Sequence, residues 1–302
     1  MTVGNRKNPV AAPTVPLFLT RKEPTPMLKS IASLLIALAI VLLGATARAD
    51  VLLLAHGYLG SAASWEQSGV VAVLNGRGWA RAGILRTGPN GVEELPGPGV
   101  KARNKIYLVE LPSPAPLLVQ AAHLTPLLQR LATRHPKERF ILAGHSVGGL
   151  VLRLALVQGR VPNPAALITI AAPHLGTPRA EQALDATNDW GPVEILKDFF
   201  GGGGYQTLKF SRGLYLDIVR QHPGSLLFWL NHQPHPRIPY FSVVRGTPFV
   251  LWGDMLVPGP SQDMNNIPLL RGRSTLHTLG TGHELGLPDG FTLANILQGL
   301  SK

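Results

Sequence analysis

Short apolar runs recur along the chain and predict a β-sheet whose strands alternate with helices. Continuous apolar stretches of strand length lie at about 51–55, 105–111, 140–143, 166–171 and 241–244, with a weaker candidate at 274–279. Apolar residues at helical spacing predict one helix that starts at Thr125-Pro126 and ends at His135-Pro136, and a second over about 150–157. This alternation predicts an α/β fold with a mostly parallel central sheet and helices on both faces.

Two stretches depart from the alternation. Residues 88–99 are rich in Gly and Pro, which is typical of a loop. Residues at about 180–236 form an insertion between two predicted strands, with apolar aromatic pairs at Phe199-Phe200 and Phe228-Trp229. This position suits a cap or lid over a site, and a plain structural excursion that packs on the core is an equal alternative.

The N-terminal segment has the pattern of an export signal. Residues 31–43 are almost entirely apolar, Lys29 precedes them, and the small-x-small sequence Ala47-Arg48-Ala49 follows. This combination predicts a secretory signal that is cut before Asp50. The run is shorter than the roughly 20 residues that a membrane span needs, and an uncleaved anchor is the alternative interpretation.

These boundaries divide the chain into three parts. Residues 1–26 are polar, rich in Pro and without pattern, and Met27 stands where a signal peptide would begin. We therefore expect residues 1–26 to be disordered or to precede the true start, 27–49 to be a signal peptide, and 50–302 to be the catalytic domain with its insertion. The protein is accordingly expected to be exported, either to the periplasm or out of the cell.

Composition narrows the possible functions. The chain has 302 residues, enough to bury a substantial core, and it has no cysteine, which excludes disulfides and thiol nucleophiles. Its formal charge is +11, yet its basic residues form no stripe interleaved with aromatics, so no nucleic-acid partner is predicted. A basic surface of this kind favours contact with anionic membranes or cell-envelope polymers.

Gly144-His145-Ser146-Val147-Gly148 matches the pattern G-x-S-x-G in a specific context, because an apolar strand precedes it and a helix follows. A strand that turns abruptly into a helix holds the middle residue in a strained conformation, and the flanking glycines leave room for close backbone approach. The serine oxygen then stands at the carboxyl edge of the sheet. The pattern predicts Ser146 as a nucleophile, against the weaker alternative of a turn with an idle serine.

A nucleophilic serine needs a base, and the base needs a carboxylate that orients it. After this kind of strand–turn–helix motif the chain order is Ser, then Asp or Glu, then His. Asp254 and His283 follow Ser146 in that order, and both suit loops at the carboxyl ends of late strands. Asp254 is therefore predicted as the orienting acid and His283 as the base.

Other residues compete for these two roles. His277 is the alternative base, although it falls within strand-like residues, where a structural histidine is more common. The alternative acids are Asp263 and Asp289, and Asp289 follows His283, which is the wrong order. The remaining histidines all precede Asp254 in the chain.

The loop after the first predicted strand suits an oxyanion hole. His56-Gly57-Tyr58 lies where a backbone N–H can point at a substrate carbonyl. The backbone N–H groups of Tyr58 and Val147 are predicted as the oxyanion donors. His56 is expected to stabilise the loop and to take no part in catalysis.

Three stretches resemble the bacterial lipase and carboxylesterase branch of the α/β-hydrolases. They are LLLAHGYLGS (52–61), FILAGHSVGGL (140–150) and TIAAPHLGTP (169–178), supported by GDMLVP (253–258) and TGHE (281–284). In the third stretch Ala172 replaces the threonine that is usual in such lipases. The order and spacing of these stretches are more specific than any one of them.

The resemblance implies the α/β-hydrolase fold with a cap or lid insertion, and a serine hydrolase that cleaves carboxylic esters as a lipase or an esterase. It gives Ser146 as nucleophile, Asp254 as acid, His283 as base, and Tyr58 and Val147 as oxyanion donors. No cofactor and no metal are predicted, and the partners would be an ester or lipid substrate and, transiently, a lipid interface. The alternatives are an acyltransferase or amidase on the same fold, or an inactive hydrolase scaffold used for binding.

Overall fold

Seven strands of the described chain lie parallel in an eight-stranded sheet, and the eighth is added antiparallel. In the computed structural model the described residues are 49–187, 209–246, 253–280 and 282–301, together with Met1. The strands are β1 (Asp50–Ala55), β2 (Trp79–Gly88), β3 (Gly91–Pro96), β4 (Asn104–Glu110), β5 (Arg139–His145), β6 (Pro164–Ile170), β7 (Tyr240–Arg245) and β8 (Ser274–Leu279). Their order across the sheet is β3-β2-β4-β1-β5-β6-β7-β8, which places β1 between β4 and β5 near the centre.

The helices connect these strands. They are α1 (Ser64–Gln67), α2 (Val70–Asn75), α3 (Leu117–Arg134), α4 (Val147–Val157), α5 (Pro178–Thr187), α6 (Arg212–Ile218), α7 (Leu226–Asn231), α8 (Gly259–Gln262) and α9 (Leu287–Leu300). Short 3-10 turns lie at Pro98–Lys101, Met264–Asn266 and Pro268–Leu270. Every helix in the described ranges is too short or too polar to span a lipid bilayer.

Two apolar cores cover the two faces of the sheet. Successive side chains of a strand point to opposite faces. Val51 and Leu53 of β1 therefore join the core on the side of α3 and α4, whereas Leu52 and Leu54 join the core on the side of α1, α2 and α9. All six residues of β1 are buried, as expected for a central parallel strand. The predicted α/β architecture is confirmed.

The predicted loop at 88–99 is wrong in part. Residues up to Gly88 and from Gly91 to Pro96 form an antiparallel hairpin, β2–β3, in which Gly88 pairs with Gly91. Gly91 has φ +105°, a conformation that favours glycine, so the glycines mark the turn of the hairpin and not a long loop. Glu93 of β3, the outermost strand of the sheet, pairs with Arg86 of β2 at 2.7 Å.

The predicted start of the first long helix is also wrong. Helix α3 begins at Leu117, and Pro126 lies inside it. Proline costs a helix one backbone hydrogen bond. Thr125 Oγ1 donates to the carbonyl of Ala121 at 2.8 Å, and buried leucines from Leu117 to Leu131 hold the helix against the sheet on both sides of the proline. Burial of this apolar face thus outweighs the local signal of Thr-Pro.

The insertion contributes α5, α6 and α7 to the core on the α3 and α4 side. Ala183, Leu214, Leu227 and Leu230 are buried there. The first turn of α5 is also bound to the loop that follows Asp254, because Arg179 Nε donates to the carbonyl of Met255 at 2.8 Å. Phe199, Phe200 and the glycine run 201–204 lie outside the described residues, as does the segment predicted to be an export signal.

Candidate active site

Ser146 stands on a strained turn between β5 and α4. Its backbone has φ +50° and ψ −125°, values that a non-glycine residue rarely adopts. The turn is compact: a Cβ on Gly144 would lie 2.5 Å from the nitrogen of Gly149, and a Cβ on Gly148 would lie 2.4 Å from the carbonyl oxygen of His56. Both glycines of the motif are therefore required by backbone contacts, as the sequence pattern predicts.

We expect Gly148→Ala to destabilise the protein by about 3 kcal/mol or more, because both atoms that its Cβ would meet first are backbone oxygens at the end of β1. The matched control is Gly299→Ala in α9, where nothing lies within 4 Å of the added carbon, and here a gain of about 0.5–1 kcal/mol is expected. Urea unfolding followed by circular dichroism measures both. Equal midpoints for Gly148→Ala and the wild type would contradict the close approach of α4 to β1.

The structure brings Ser146, His283 and Asp254 into one chain of hydrogen bonds. His283 Nε2 lies 3.0 Å from Ser146 Oγ, and His283 Nδ1 lies 2.8 Å from Asp254 Oδ2. The carboxylate only accepts, so Nδ1 carries the ring proton, and Nε2 is left to accept from the serine hydroxyl. These are the contacts that a serine nucleophile, its base and an orienting acid require.

Asp254 is held as a carboxylate in a nearly closed environment. Its side chain is only 2% exposed. Burial alone would raise its pKa, but hydrogen bonding and charge interaction with His283, together with the N–H groups of Val257 and Leu256, bring the pKa below its ordinary value. Those two N–H groups donate to Oδ1 at 2.7 Å each, and the amide of Gln262 donates to Oδ2 at 3.1 Å. Gln262 carries no sequence signal for this role, since only the fold brings α8 to the acid.

The predicted oxyanion donors lie beside Ser146. Tyr58 and Val147 both line the cavity that contains Ser146. Val147 is the first residue of α4, and the first N–H of a helix has no acceptor within the helix and lies at its positive end. His56 fixes the start of loop 56–60 to the end of β4, because its Nε2 accepts from the N–H of Leu111 at 3.1 Å.

The competing residues have other partners. His277 lies within β8, and its ring packs against Phe241. Asp263 accepts from the N–H of Asn265 at 2.9 Å and so caps a 3-10 turn. Asp289 forms a buried ion pair with Arg245 at 2.7 Å. Of these three residues, the structure places none in contact with Ser146.

The cavity around Ser146 measures about 480 Å³, and elements from both faces of the sheet form its walls. The insertion and the loop of Asp254 contribute a mostly apolar wall: Ala180, Tyr215, Ile218, Leu256 and Val257. Residues on and beside α1 contribute the polar side chains Ser64, Gln67 and Ser68. In the part of the chain that the structure describes, no cluster of His, Asp or Glu could hold a metal ion.

Solved structures share this architecture. The product of a Listeria innocua gene has 14% identity and a TM-score of 0.51, over 84% of this chain and 91% of that one. A lipase-esterase related protein from Clostridium acetobutylicum has 12% identity and a TM-score of 0.50, over 83% and 94%. Neither a protein-family model nor a curated protein matches the chain by sequence.

With its parallel sheet and its turn from β5 into α4, the chain has the α/β-hydrolase fold, so the resemblance predicted from its motifs is confirmed at that level. At these identities the likeness concerns the fold alone. Fold does not determine function, so the chemistry of the chain depends on the residues of the site.

Proposed function

We propose that the protein is a serine hydrolase of carboxylic esters, of the lipase or carboxylesterase type. The observation that carries the proposal is the hydrogen-bonded chain Ser146–His283–Asp254 at the wall of a cavity. Three residues from distant parts of the chain meet in the contacts that acyl transfer needs. A fold used only for binding has no requirement for that arrangement.

The reaction follows from the contacts. His283 Nε2 takes the proton of Ser146 as the serine oxygen attacks the ester carbonyl. The backbone N–H groups of Tyr58 and Val147 donate hydrogen bonds to the carbonyl oxygen and stabilise its negative charge. Asp254 stabilises the imidazolium that forms. The alcohol leaves with the proton from His283, and an acyl-serine remains. Water then gives a proton to His283 and attacks the acyl group. His283 returns that proton to the Ser146 oxygen as the acid leaves, which restores the serine hydroxyl and the neutral imidazole.

The cavity walls favour an ester with parts of different polarity. An apolar acyl chain suits the side formed by the insertion and the Asp254 loop, because burial of each methylene there contributes about 0.8 kcal/mol. Hydroxyl and amide groups of the α1 side suit a polar alcohol. The mechanism uses no cofactor.

Labelling and turnover test the proposal together. We expect a fluorophosphonate to add to Ser146, seen as a mass increase on the peptide that contains it, and the protein to hydrolyse p-nitrophenyl esters in a series from acetate to palmitate. The chain length with the highest kcat/KM separates an esterase from a lipase. Folded protein that is neither labelled nor active on any ester of the series would refute the proposal.

We also propose that the protein is exported and cut before Asp50. This rests on the apolar run 31–43, its basic flank and the small residues at 47 and 49. Expression in a bacterial host followed by fractionation and N-terminal sequencing tests it. A cell-envelope or secreted form that starts at Asp50 is expected, and an uncut chain confined to the cytoplasm would contradict it.

A further inference from the structure

The backbone carbonyl of His283 accepts from two buried side chains. His145 Nε2 lies 2.8 Å from this oxygen, and Arg245 Nη2 lies 3.4 Å from it. Because a carbonyl only accepts, His145 carries its proton on Nε2. Burial lowers the pKa of His145 to about 3, so its ring is neutral at pH 7. The residue next to the nucleophile thus binds the backbone of the base.

Arg245, the last residue of β7, is in turn fixed by Asp289 of α9. Its Nη1 donates to Asp289 Oδ1 at 2.7 Å and its Nη2 to Oδ2 at 3.2 Å, and both side chains are fully buried. The same Nη2 donates to the carbonyl of Glu284 at 3.2 Å, and Asp289 accepts from the N–H of Gly286 at 2.9 Å. The ion pair therefore fixes the backbone of residues 283–286, because Arg245 binds its first two carbonyls and Asp289 binds its last N–H.

Arg245 also reaches the acid. Its backbone N–H donates to Gln262 Oε1 at 2.8 Å, and Gln262 Nε2 donates to Asp254 Oδ2 at 3.1 Å. That carboxylate oxygen is the one that accepts from His283 Nδ1. One residue at the end of β7 thus connects the loop of the base with the loop of the acid.

We propose that His145 and Arg245 are positioning residues that hold the His283 imidazole between Ser146 and Asp254 by binding the His283 carbonyl. The inference rests on the proposed function, since it concerns the same site. A buried ion pair gains little net stability over well-packed apolar residues, so we expect its main effect to be on the geometry that it imposes. A displacement of about 1 Å at a reacting group can cost about 100-fold in rate.

His145 offers the sharper test, because two substitutions separate its hydrogen bond from its bulk. His145→Leu removes the donor, whereas His145→Gln places an amide nitrogen near the position of Nε2. We expect kcat of the full chain on p-nitrophenyl butyrate to fall about 10- to 100-fold in the leucine variant, with KM changed less than about threefold. In the glutamine variant kcat should recover to within about fivefold of the wild type.

His135→Leu is the matched control. His135 is also buried and shares a hydrogen bond of 2.9 Å with the Tyr107 hydroxyl, and it lies before the start of β5, at the opposite end of that strand from Ser146. It should lose stability while kcat per folded molecule stays at the wild-type value. If His145→Leu does not fold, His145→Asn replaces it, since its shorter amide does not reach the carbonyl of His283 and its kcat should be equally low.

The outcomes separate this inference from the proposed function. Wild-type protein without ester turnover overturns both. Active wild type together with a leucine or asparagine variant within twofold of its kcat overturns the positioning role alone. A folded glutamine variant as slow as the leucine variant also overturns it, because packing of the His145 ring on His283, at 5.1 Å between centroids, would then be what matters.

Discussion

Ser146→Ala is expected to lower kcat for ester hydrolysis by about 10⁵- to 10⁶-fold, because removal of a serine nucleophile disables the whole triad. The substitution removes one hydroxyl, whose contact is the 3.0 Å hydrogen bond to His283, so the fold should persist. Residual turnover of about 10³-fold over water should remain from the oxyanion donors and substrate binding. Initial rates on the best p-nitrophenyl ester measure the effect.

The control for this substitution is Ser301→Ala. Ser301 is exposed at the end of α9, where its hydroxyl donates to the carbonyl of Leu297 at 3.0 Å. Its kcat should equal that of the wild type. A Ser146→Ala protein that keeps more than about one hundredth of the activity would show that another group attacks the ester.

Acidification from pH 7 to about pH 4 is expected to remove several kcal/mol of stability, enough to unfold a domain of ordinary stability. Three buried histidines with strongly lowered pKa values make the largest contributions. Burial lowers the pKa of His145 to about 3 and that of His235 to about 4, and it holds the pKa of His174 well below its ordinary value. His174 and His235 both contact Arg153, whose positive charge opposes their protonation further.

The loss of stability at low pH follows from the difference in proton binding between the unfolded and folded states. A histidine in the unfolded chain has a pKa near 6.5. Below that pH the unfolded state binds protons, whereas the buried imidazoles of the folded state stay neutral. Stability is therefore complete above about pH 6.5 and declines as the pH falls toward the folded pKa values. Each such histidine contributes up to about 1.4 kcal/mol per pH unit in this window.

Urea unfolding at pH 7.0, 5.5 and 4.5 measures the slope. In His235→Gln the loss of stability per pH unit should be smaller by the contribution of one histidine. The amide oxygen of the glutamine can still accept from Arg153, but it does not titrate. His222→Gln, at an exposed histidine, should keep the wild-type slope. A wild-type protein equally stable at pH 7.0 and 4.5 would contradict the burial of neutral imidazoles.

The sequence predicts the parts of the site that depend on local pattern. Ser146 is found because the G-x-S-x-G motif is itself a local backbone requirement, visible in the contacts of Gly144 and Gly148. Asp254 and His283 are found because chain order in this motif leaves few candidates. Five of the eight strands are predicted because buried parallel strands are apolar runs, and β8, which is partly exposed and mixed in sequence, is the weaker sixth.

The rest depends on contacts that no local pattern encodes. Gln262, Arg245 and Asp289 reach the site only because β7, α8 and α9 meet beside it. Strand β3 is missed because the glycines and prolines of 88–99 suggest a loop, and the extent of α3 is missed because burial overrides the signal of Pro126. Strand β2 is also not predicted. Helices α1, α2 and α9 are also not predicted.

The central place of β1 has a consequence for synthesis on the ribosome. Asp50 pairs with Arg139, 89 positions later, and β1 has β5 as one of its two neighbours. At about 5–20 residues per second, this partner emerges several seconds after β1. Until then the nascent chain has an apolar strand with an open edge and cannot complete its sheet. Such a delay would keep one edge of β1 unpaired during translation, which is compatible with the export proposed above.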